Sequence, residues 1–285
     1  MANPKSNRLI LITGATGKQG GSALRALSRH GFPVRAITRN PDKPAARALT
    51  NDGVEVVAAD LQDKDSLRRA LDGVYGVFAM TTPFEQGMEA EVAQGTTLAD
   101  AARAAGVTHY VFSSVGAADR NTGIPHFESK FKVEEHVRGL GFPYFTILRP
   151  VYFMENWLWS KEQVEGGTLA TPLSPETRLS QIAVSDIGAF AALAFEHRDH
   201  WNGKAVDIAG DELSGTEQAE AFSTRIGKPV KYVQIPWDEY EKSAGEDMTL
   251  MYKWFESVGY QTDFDARREE HPGLMRFSRW VNENW

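Results

Sequence analysis

The chain contains no cysteine, which excludes disulfide bonds, thiol catalysis and cysteine-ligated metals. This composition suits a reducing compartment, and we expect a cytoplasmic protein. Long hydrophobic runs are missing as well. The first apolar run, residues 9–12, is far too short for a signal-peptide core or a membrane span, so we expect no membrane partner.

An excess of basic charge is also missing. The chain has 31 Lys and Arg residues against 38 Asp and Glu residues, a formal net charge of -7 at pH 7. It therefore offers no general positive field to nucleic acid or anionic lipid, and an anionic ligand must be bound by local groups. The sequence contains no zinc motif either, so no metal site is predicted.

The first half of the chain instead repeats short apolar runs that are nearly continuous, as in strands buried on both faces. The predicted strands are residues 9–13, 34–38, 54–58, 76–80, 110–113 and 144–148. Amphipathic helical stretches lie between most of them, and a glycine precedes several strands where a helix must end. These glycines are Gly31, Gly53, Gly106 and Gly141. The repeat predicts an α/β fold with a Rossmann-type, doubly wound parallel sheet.

The second half is less regular. We predict helices at 186–195 and 217–226, and short strands at 206–208 and 230–233. No charged or low-complexity linker separates the two halves. The expected organisation is therefore a dinucleotide-binding Rossmann domain over residues 1–150, with a smaller α/β substrate lobe over residues 151–285 packed on it.

A glycine-rich segment follows the first predicted strand. Gly14 allows a tight turn, Gly17 lets the backbone approach a pyrophosphate, and Gly20 lets the helix pack close to the sheet. The start of the following helix offers free N–H groups and partial positive charge to phosphates. We therefore predict a dinucleotide site here. Its other predicted contacts on this turn are Thr16, Lys18 and Gln19.

The end of the second predicted strand indicates which dinucleotide is bound. An NAD site carries Asp or Glu there to bind the ribose 2′-hydroxyl, whereas this chain has Arg39, with Lys43 close behind. An arginine can pair bidentately with a 2′-phosphate. The alternative interpretation of Arg39 is a solvated surface residue. We predict NADP(H) as the cofactor.

Ligands of such sheets bind beyond the carboxyl ends of the strands, which predicts further cofactor contacts. Asp60 and Leu61 follow the third strand, where a polar side chain can meet the adenine, although Asp60 could equally cap the next helix. The other predicted contacts at strand ends are Thr81, Thr82 and Ser113.

His126 and Lys130 are the predicted catalytic residues. They are four residues apart, so on a helix they share one face. A lysine there can hold the nicotinamide ribose, and an imidazole, with an ordinary pKa of about 6.5, can act as an acid or a base. Further along the same stretch, Glu134 is expected on a solvated helix face.

An aromatic-rich segment with a few polar groups, residues 149–157, follows the sixth predicted strand. This composition is typical of the floor of a small-molecule pocket, and core packing between the lobes is the alternative. Tyr152 and Asn156 are the contacts predicted from it.

Taken together, these segments resemble the NmrA-like group of atypical short-chain dehydrogenases/reductases. The matching segments are residues 14–20, 34–41, 112–115, 125–130 and 148–156. The resemblance implies a Rossmann fold, NADP preference and Arg39 on the 2′-phosphate. Typical short-chain reductases place a tyrosine four residues before the lysine, where this chain has His126. The resemblance therefore implies either an NADPH-dependent reductase of a small carbonyl, quinone or enone, or an NADP(H) sensor that binds a protein partner without turnover. The sequence leaves the oligomeric state open.

Overall fold

In the computed structural model, which describes Lys5 and residues 7–285, strands and helices alternate along the first half of the chain. The strands are β1 (Ile10–Ile12), β2 (Val34–Thr38), β3 (Glu55–Ala58), β4 (Gly76–Met80), β5 (His109–Ser113), β6 (Tyr144–Pro150), β7 (Tyr152–Phe153), β8 (Thr168–Thr171), β9 (Arg178–Ile182), β10 (Ala205–Ile208), β11 (Asp211–Ser214) and β12 (Lys231–Gln234). The helices are α1 (Lys18–Arg29), α2 (Pro44–Asn51), α3 (Lys64–Ala70), α4 (Met88–Ala104), α5 (Pro125–Gly139), α6 (Lys161–Glu165), α7 (Val184–Glu196), α8 (Arg198–Trp201), α9 (Gly215–Ile226), α10 (Trp237–Ala244), α11 (Glu246–Ser257), α12 (Phe264–Glu270) and α13 (Phe277–Asn284), with a 3₁₀ helix at Met154–Ser160.

The main sheet of the described chain has seven strands in the order β10-β6-β5-β4-β1-β2-β3, all parallel. The strand order reverses at β1, whose Ile10 pairs with Val34 on one side and with Gly76 on the other. Such a reversal opens a crevice at the carboxyl ends of the strands. The predicted doubly wound α/β fold is confirmed, and the six predicted strands match β1 to β6 to within two residues at each end.

Both faces of this sheet are buried, as the continuous apolar strands predict. Ile10 and Ile12 lie in a core cluster with residues of α1 and α7. Leu11 points to the other face and lies in a second cluster with residues of α3, α4 and α5. Burial of apolar surface on both sides stabilises the sheet and therefore fixes the positions of its strand ends.

The four glycines predicted to end helices all have left-handed backbone conformations. Their φ angles are 81° at Gly31, 82° at Gly53, 77° at Gly106 and 65° at Gly141. A residue with a Cβ is strained in this region, which is why glycine marks these positions in the sequence.

The second half of the chain does not form a wholly separate lobe. β10 pairs with β6 in the main sheet, and α7 packs against α1. Residues 184–208 therefore lie with the first half, which differs from the predicted division at residue 150. The physical reason is that β6 would otherwise leave an apolar edge strand unpaired, and α1 an apolar face uncovered.

The rest of the second half surrounds another apolar cluster, to which α9, α11 and α13 contribute. It contains two small sheets, β11-β9-β7 and β12-β8. The helices predicted at 186–195 and 217–226 correspond to α7 and α9, and the strands predicted at 206–208 and 230–233 to β10 and β12. Among the described residues, no helix is both long enough and apolar enough to span a membrane.

The expectation of a solvated Glu134 is wrong. Its side chain is fully buried, and Arg149 of β6 donates to it through two nitrogens, at 2.9 and 2.6 Å. Arg149 also lies 2.7 Å from Asp119. A buried carboxylate is tolerated when it is paired in this way, and the partner lies on another element, which helix periodicity cannot indicate.

Candidate functional site

The glycine-rich turn joins β1 to α1 at the carboxyl edge of the main sheet. Gly14 has φ +61°, and a Cβ there would lie 2.4 Å from the sulfur of Met80. At Gly20 a Cβ would lie 2.3 Å from backbone atoms of Thr13 and Gly14. At Gly17 the clearance is 3.3 Å from the carbonyl oxygen of Gly14. The turn is therefore packed so closely that Gly14 and Gly20 have no room for a side chain.

The first turn of α1 is open to an anion. Gly17 precedes the helix, no side chain caps it, and no acidic residue lies in its first turn. Within the described part of the chain, the backbone N–H groups of Lys18, Gln19 and Gly20 have no hydrogen-bond partner. Free amides at the positive end of a helix dipole bind phosphates, so this turn fits a diphosphate group.

A cleft extends from this turn along the ends of β2, β3 and β4. It brings together seven of the residues that the sequence predicts to contact the cofactor. These are Gly14, Thr16, Arg39, Asp60, Leu61, Thr81 and Thr82. The cleft lies at the point where the strand order reverses, as expected for a dinucleotide crevice.

Arg39 lies in this cleft with its guanidinium 2.7 Å from the carboxylate of Glu85. Both side chains are more than half exposed, at 57% and 56%. An ion pair in solvent contributes little free energy, so a doubly charged phosphate can replace Glu85. Lys43, the other predicted basic contact, is exposed at the start of α2 and does not line the cleft.

Asp60 lines the cleft and does not cap the next helix. The cap of α3 is Asp63, whose side chain accepts hydrogen bonds from the amides of Asp65 and Ser66. The Asp60 carboxylate accepts a hydrogen bond from the amide of Gln62 at 2.9 Å, within its own turn. The capping interpretation of Asp60 is therefore wrong, and its contact with the adenine stays a prediction.

Lys130 is buried and held by two groups. Its ammonium donates to the carbonyl oxygen of Thr81 at 2.6 Å and lies 2.7 Å from the carboxylate of Glu91. Glu91 is fully buried and also accepts hydrogen bonds from the hydroxyls of Thr81, at 3.1 Å, and Ser129, at 2.6 Å. Lys130 therefore fixes the segment that follows β4, which forms one wall of the cleft.

Burial and charge act in opposite directions on Lys130. Burial lowers the pKa of its ammonium, and the negative charge and hydrogen bond of Glu91 raise it. Burial is the larger effect, so the pKa of Lys130 lies below its ordinary value. Glu91 is the counter-charge that makes a buried ammonium tolerable at this position.

His126 lies one turn before Lys130 and is almost fully buried. Its Nδ1 is 2.6 Å from Oδ2 of Asp247, and its backbone N–H donates to Oδ1 of the same residue at 3.3 Å. The exposed ring of Phe84, from the segment after β4, lies 5.7 Å from the imidazole. His126 and Lys130 therefore both contact the segment that forms this wall of the cleft.

Two other predicted residues contact each other across the turn. The hydroxyl of Ser113, at the end of β5, donates to the side-chain oxygen of Gln19 at 2.7 Å. Lys18 extends away from them, with its ammonium 3.4 Å from the carbonyl oxygen of Glu155 and 5.1 Å from the ring centre of Trp159. Gln19 and Ser113 thus join the glycine-rich turn to β5.

Tyr152 and Asn156 do not line the cleft. The hydroxyl of Tyr152 accepts a hydrogen bond from Tyr252 at 3.1 Å, and its ring packs against Trp157 and Phe255. Asn156 hydrogen-bonds the same hydroxyl, and burial raises the pKa of Tyr152. These contacts place Tyr152 against the apolar cluster of the second half.

Sequence reasoning misses Glu91 and Asp247. A signal for Glu91 does exist, because it shares the buried face of α4 with Gly95, Leu98 and Ala102 at helical spacing. An acid on such a face needs a partner. Asp247 carries no comparable signal, since it is one of two acids in the first turn of α11. In the described part of the chain, no group of three or more His, Asp or Glu side chains could hold a metal ion.

Comparison with known proteins identifies the family from the sequence and finds solved structures with the same fold. The model of the NmrA-like family matches residues 6–275. The NmrA-like family domain-containing oxidoreductase malD of Malbranchea aurantiaca is 30% identical, over 98% of this chain and 97% of its own. The NAD(P)H azoreductase of Xenophilus azovorans is 33% identical, over 82% of this chain and 80% of its own. The NADPH-dependent quinone oxidoreductase QOR2 of Escherichia coli, solved with NADPH, has a TM-score of 0.82 and 25% identity, covering 96% of this chain and 99% of its own. The chain belongs to the NmrA-like family.

Proposed function

We propose that the protein is an NADPH-dependent reductase of a small carbonyl, quinone or enone. One observation carries the proposal: a buried lysine and a buried histidine lie on one face of α5 and contact the wall of a dinucleotide-type cleft. Reduction of such a substrate needs a hydride, a proton and a group that positions the reacting pair. The two side chains can supply the last two.

NADPH would supply the hydride. The amides of residues 18–20 would hold its diphosphate, and Arg39 its 2′-phosphate. Relatives support this assignment, because QOR2 was solved with NADPH and the azoreductase is named for NAD(P)H. The free helix start and the two positions without room for a side chain fit a diphosphate on geometric grounds alone.

The remaining roles, positioning and proton donation, would fall to Lys130 and His126. Lys130 holds the wall after β4 in place, and its ammonium would also donate to the hydroxyls of the nicotinamide ribose. His126 would donate a proton to the substrate oxygen as negative charge develops there. Its Nε2 has no hydrogen-bond partner among the described residues, so this nitrogen is free to meet a substrate.

Turnover tests the proposal against the alternative of a non-catalytic sensor. We expect the purified protein to bind NADPH in a fluorescence titration and to oxidise it in the presence of some quinones, enones or aldehydes. His126→Ala should lower kcat by about 100-fold, the lower end of what a general acid contributes. Tight NADPH binding without consumption across a broad substrate panel would contradict the reductase and favour a sensor with a protein partner.

Cofactor choice should depend on Arg39. Arg39→Ala should weaken NADPH binding by about tenfold or more and leave NADH binding nearly unchanged, because only NADPH carries the 2′-phosphate. Fluorescence titration with both nucleotides measures this. Equal weakening of both would show that Arg39 does not bind the 2′-phosphate.

Substitution of Glu85 should change NADPH binding in the opposite direction to Arg39→Ala. Because Glu85 competes with the phosphate for Arg39, Glu85→Gln should tighten NADPH binding by about two- to fivefold, the value of an exposed ion pair. NADH binding should not change. In the Arg39→Ala background the same substitution should have no effect, and an effect there would mean that Glu85 acts through another group.

A further inference from the structure

The segment between β4 and α4 crosses the cleft. The Glu85 carboxylate accepts a hydrogen bond from Arg39, which follows β2, at 2.7 Å, and the side-chain oxygen of Gln86 accepts one from Gln62, which follows β3, at 2.8 Å. β1 and β2 lie between β4 and β3 in the sheet, so the strand ends joined by the second contact are about 14 Å apart, at ~4.8 Å per strand. Residues 82–87, which we call the strap, therefore lie over the carboxyl ends of β1 and β2.

The strap is fixed at both ends and exposed in its middle. Thr81, just before it, is buried, and its carbonyl oxygen accepts a hydrogen bond from the buried lysine of α5. At the other end the N–H of Gly87 donates to the carbonyl oxygen of Pro83 at 2.7 Å, and Gly87 has a φ of +89°, a conformation that favours glycine. Residues 84–86 are exposed. The strap is thus a preformed turn, and only its side chains attach it across the cleft.

One of the two attachments competes with a phosphate, and the other does not. Arg39 and Glu85 form an exposed ion pair, which contributes little free energy, whereas an arginine can bind a phosphate through two parallel hydrogen bonds. Arg39 cannot make both contacts fully at once. The contact between Gln62 and Gln86 joins neutral amides, and Gln86 also accepts a hydrogen bond from Gln94 of α4 at 3.2 Å. This second attachment does not depend on phosphate.

We propose that the strap closes over the part of the cleft at β2 and β3, which would hold the adenosine of the cofactor, and that the 2′-phosphate weakens this closure. Arg39 holds the strap shut through Glu85 and releases Glu85 when it binds the phosphate. The inference rests on the proposed function, because it takes Arg39 as the ligand of the 2′-phosphate. A ligand shifts an equilibrium only through different interactions with its two states, and the 2′-phosphate gains Arg39 only when Glu85 leaves it. NADPH should therefore open the strap and NADH should not.

The competing explanation is an exchange of side chains alone. The Glu85 carboxylate would rotate away from the phosphate, and the backbone of the strap would stay in place. Measurements of nucleotide affinity cannot separate this exchange from opening, because Arg39 changes partner in both. A test must therefore observe the strap itself, at a residue next to Glu85 such as Phe84.

The absence of cysteine from the chain allows a single thiol label. Phe84→Cys, with a trifluoromethyl group attached to the thiol, places a ¹⁹F NMR probe on the strap at a side chain that is 72% exposed. Adding Gln86→Ala removes the attachment to Gln62 and shows in which direction the signal moves on opening. Val258→Cys, at a side chain that is 55% exposed and outside the cleft, is the control label, and its signal should not respond to either nucleotide.

In the protein without nucleotide, we expect Glu85→Gln to move the strap signal in the same direction as Gln86→Ala. The open-to-closed ratio should rise about two- to fivefold, the value of an exposed ion pair. Saturating NADPH should have a similar effect when Glu85 is present and much less in Glu85→Gln. The same effect is expected from 2′,5′-ADP, which carries the 2′-phosphate without the nicotinamide, and not from NADH or 5′-ADP. Glu89→Gln is the matched control, since Glu89 is an exposed acid of α4 outside the cleft, and it should change nothing.

The outcomes separate this inference from the proposed function. A strap signal that moves equally with NADPH and NADH would overturn the inference, and so would a signal that stays fixed while fluorescence titration shows both nucleotides bound. A response to NADPH that survives Arg39→Ala would overturn it as well. None of these results bears on turnover, so the reductase function would stand. If NADPH is bound but never oxidised, the reductase function fails and the NMR result still decides the inference. If NADPH does not bind, both fail.

Discussion

Replacing Glu91 with alanine should lower the free energy of unfolding by about 3–5 kcal/mol, because it leaves the ammonium of Lys130 buried without a counter-charge. Thr81 and Ser129 would each lose a hydrogen-bond acceptor as well. Chemical denaturation monitored by circular dichroism measures the change. Glu89→Ala is the matched control, since Glu89 lies in the same first turn of α4 but is exposed, and it should change stability by no more than about 1 kcal/mol.

Two further measurements identify the cause of the loss. Adding Lys130→Met to Glu91→Ala should recover much of the stability, because the unpaired charge is then removed.

The destabilisation caused by Glu91→Ala should also depend on pH. Burial lowers the pKa of Lys130, so the folded protein loses this proton at a lower pH than the unfolded chain does. Stability therefore rises with pH between the pKa values of the folded and unfolded states. Glu91→Ala should therefore be less destabilising at about pH 9 than at about pH 7. Equal losses at both pH values would contradict the charge explanation.

Gly20→Ala should abolish measurable NADPH binding and lower stability by about 1–3 kcal/mol, the range found for overpacked sites. The added Cβ would lie 2.3 Å from backbone atoms of Thr13 and Gly14, which no side-chain rotation can relieve. The start of α1 must therefore move away from the turn, and its free amides move with it. Titration with NADPH and thermal unfolding measure the two effects.

Gly139→Ala is the control for this substitution. Gly139 is also helical, at the end of α5, and a Cβ there would meet nothing within 4 Å. Alanine should leave NADPH binding unchanged and stabilise the helix by roughly 0.5–1 kcal/mol. If Gly20→Ala behaves in the same way, the close packing of α1 on the turn is not needed for binding.

The sheet and the glycine-rich turn could be predicted because they depend on local sequence. Strand position follows from short apolar runs, and the ends of helices follow from glycines such as Gly31 and Gly53. The backbone conformations at these points depend on the residue and its immediate neighbours. The clustering of seven predicted cofactor contacts in one cleft could also be expected, because these residues directly follow parallel strands whose carboxyl ends meet at one edge of the sheet.

The partners of the predicted residues could not be obtained in this way. Arg39 meets Glu85 from 46 residues away, and His126 meets Asp247 from 121 residues away. Periodicity within an element indicates which face is buried, but not which charged group on another element meets it. The solvated interpretation of Glu134 fails for this reason, since only the fold brings Arg149 of β6 to it.

Elements from late in the sequence complete the core of the main sheet. The core cluster around Ile10 and Ile12 draws side chains from α7, from Ile208 of β10 and from Leu274. During synthesis these later parts leave the ribosome long after β1 to β6, so the crevice belongs to a sheet that lacks its edge strand β10 and the covering helix α7 until they arrive. Until most of the chain has been made, the apolar face of α1 and the unpaired edge of β6 are therefore exposed and prone to aggregation.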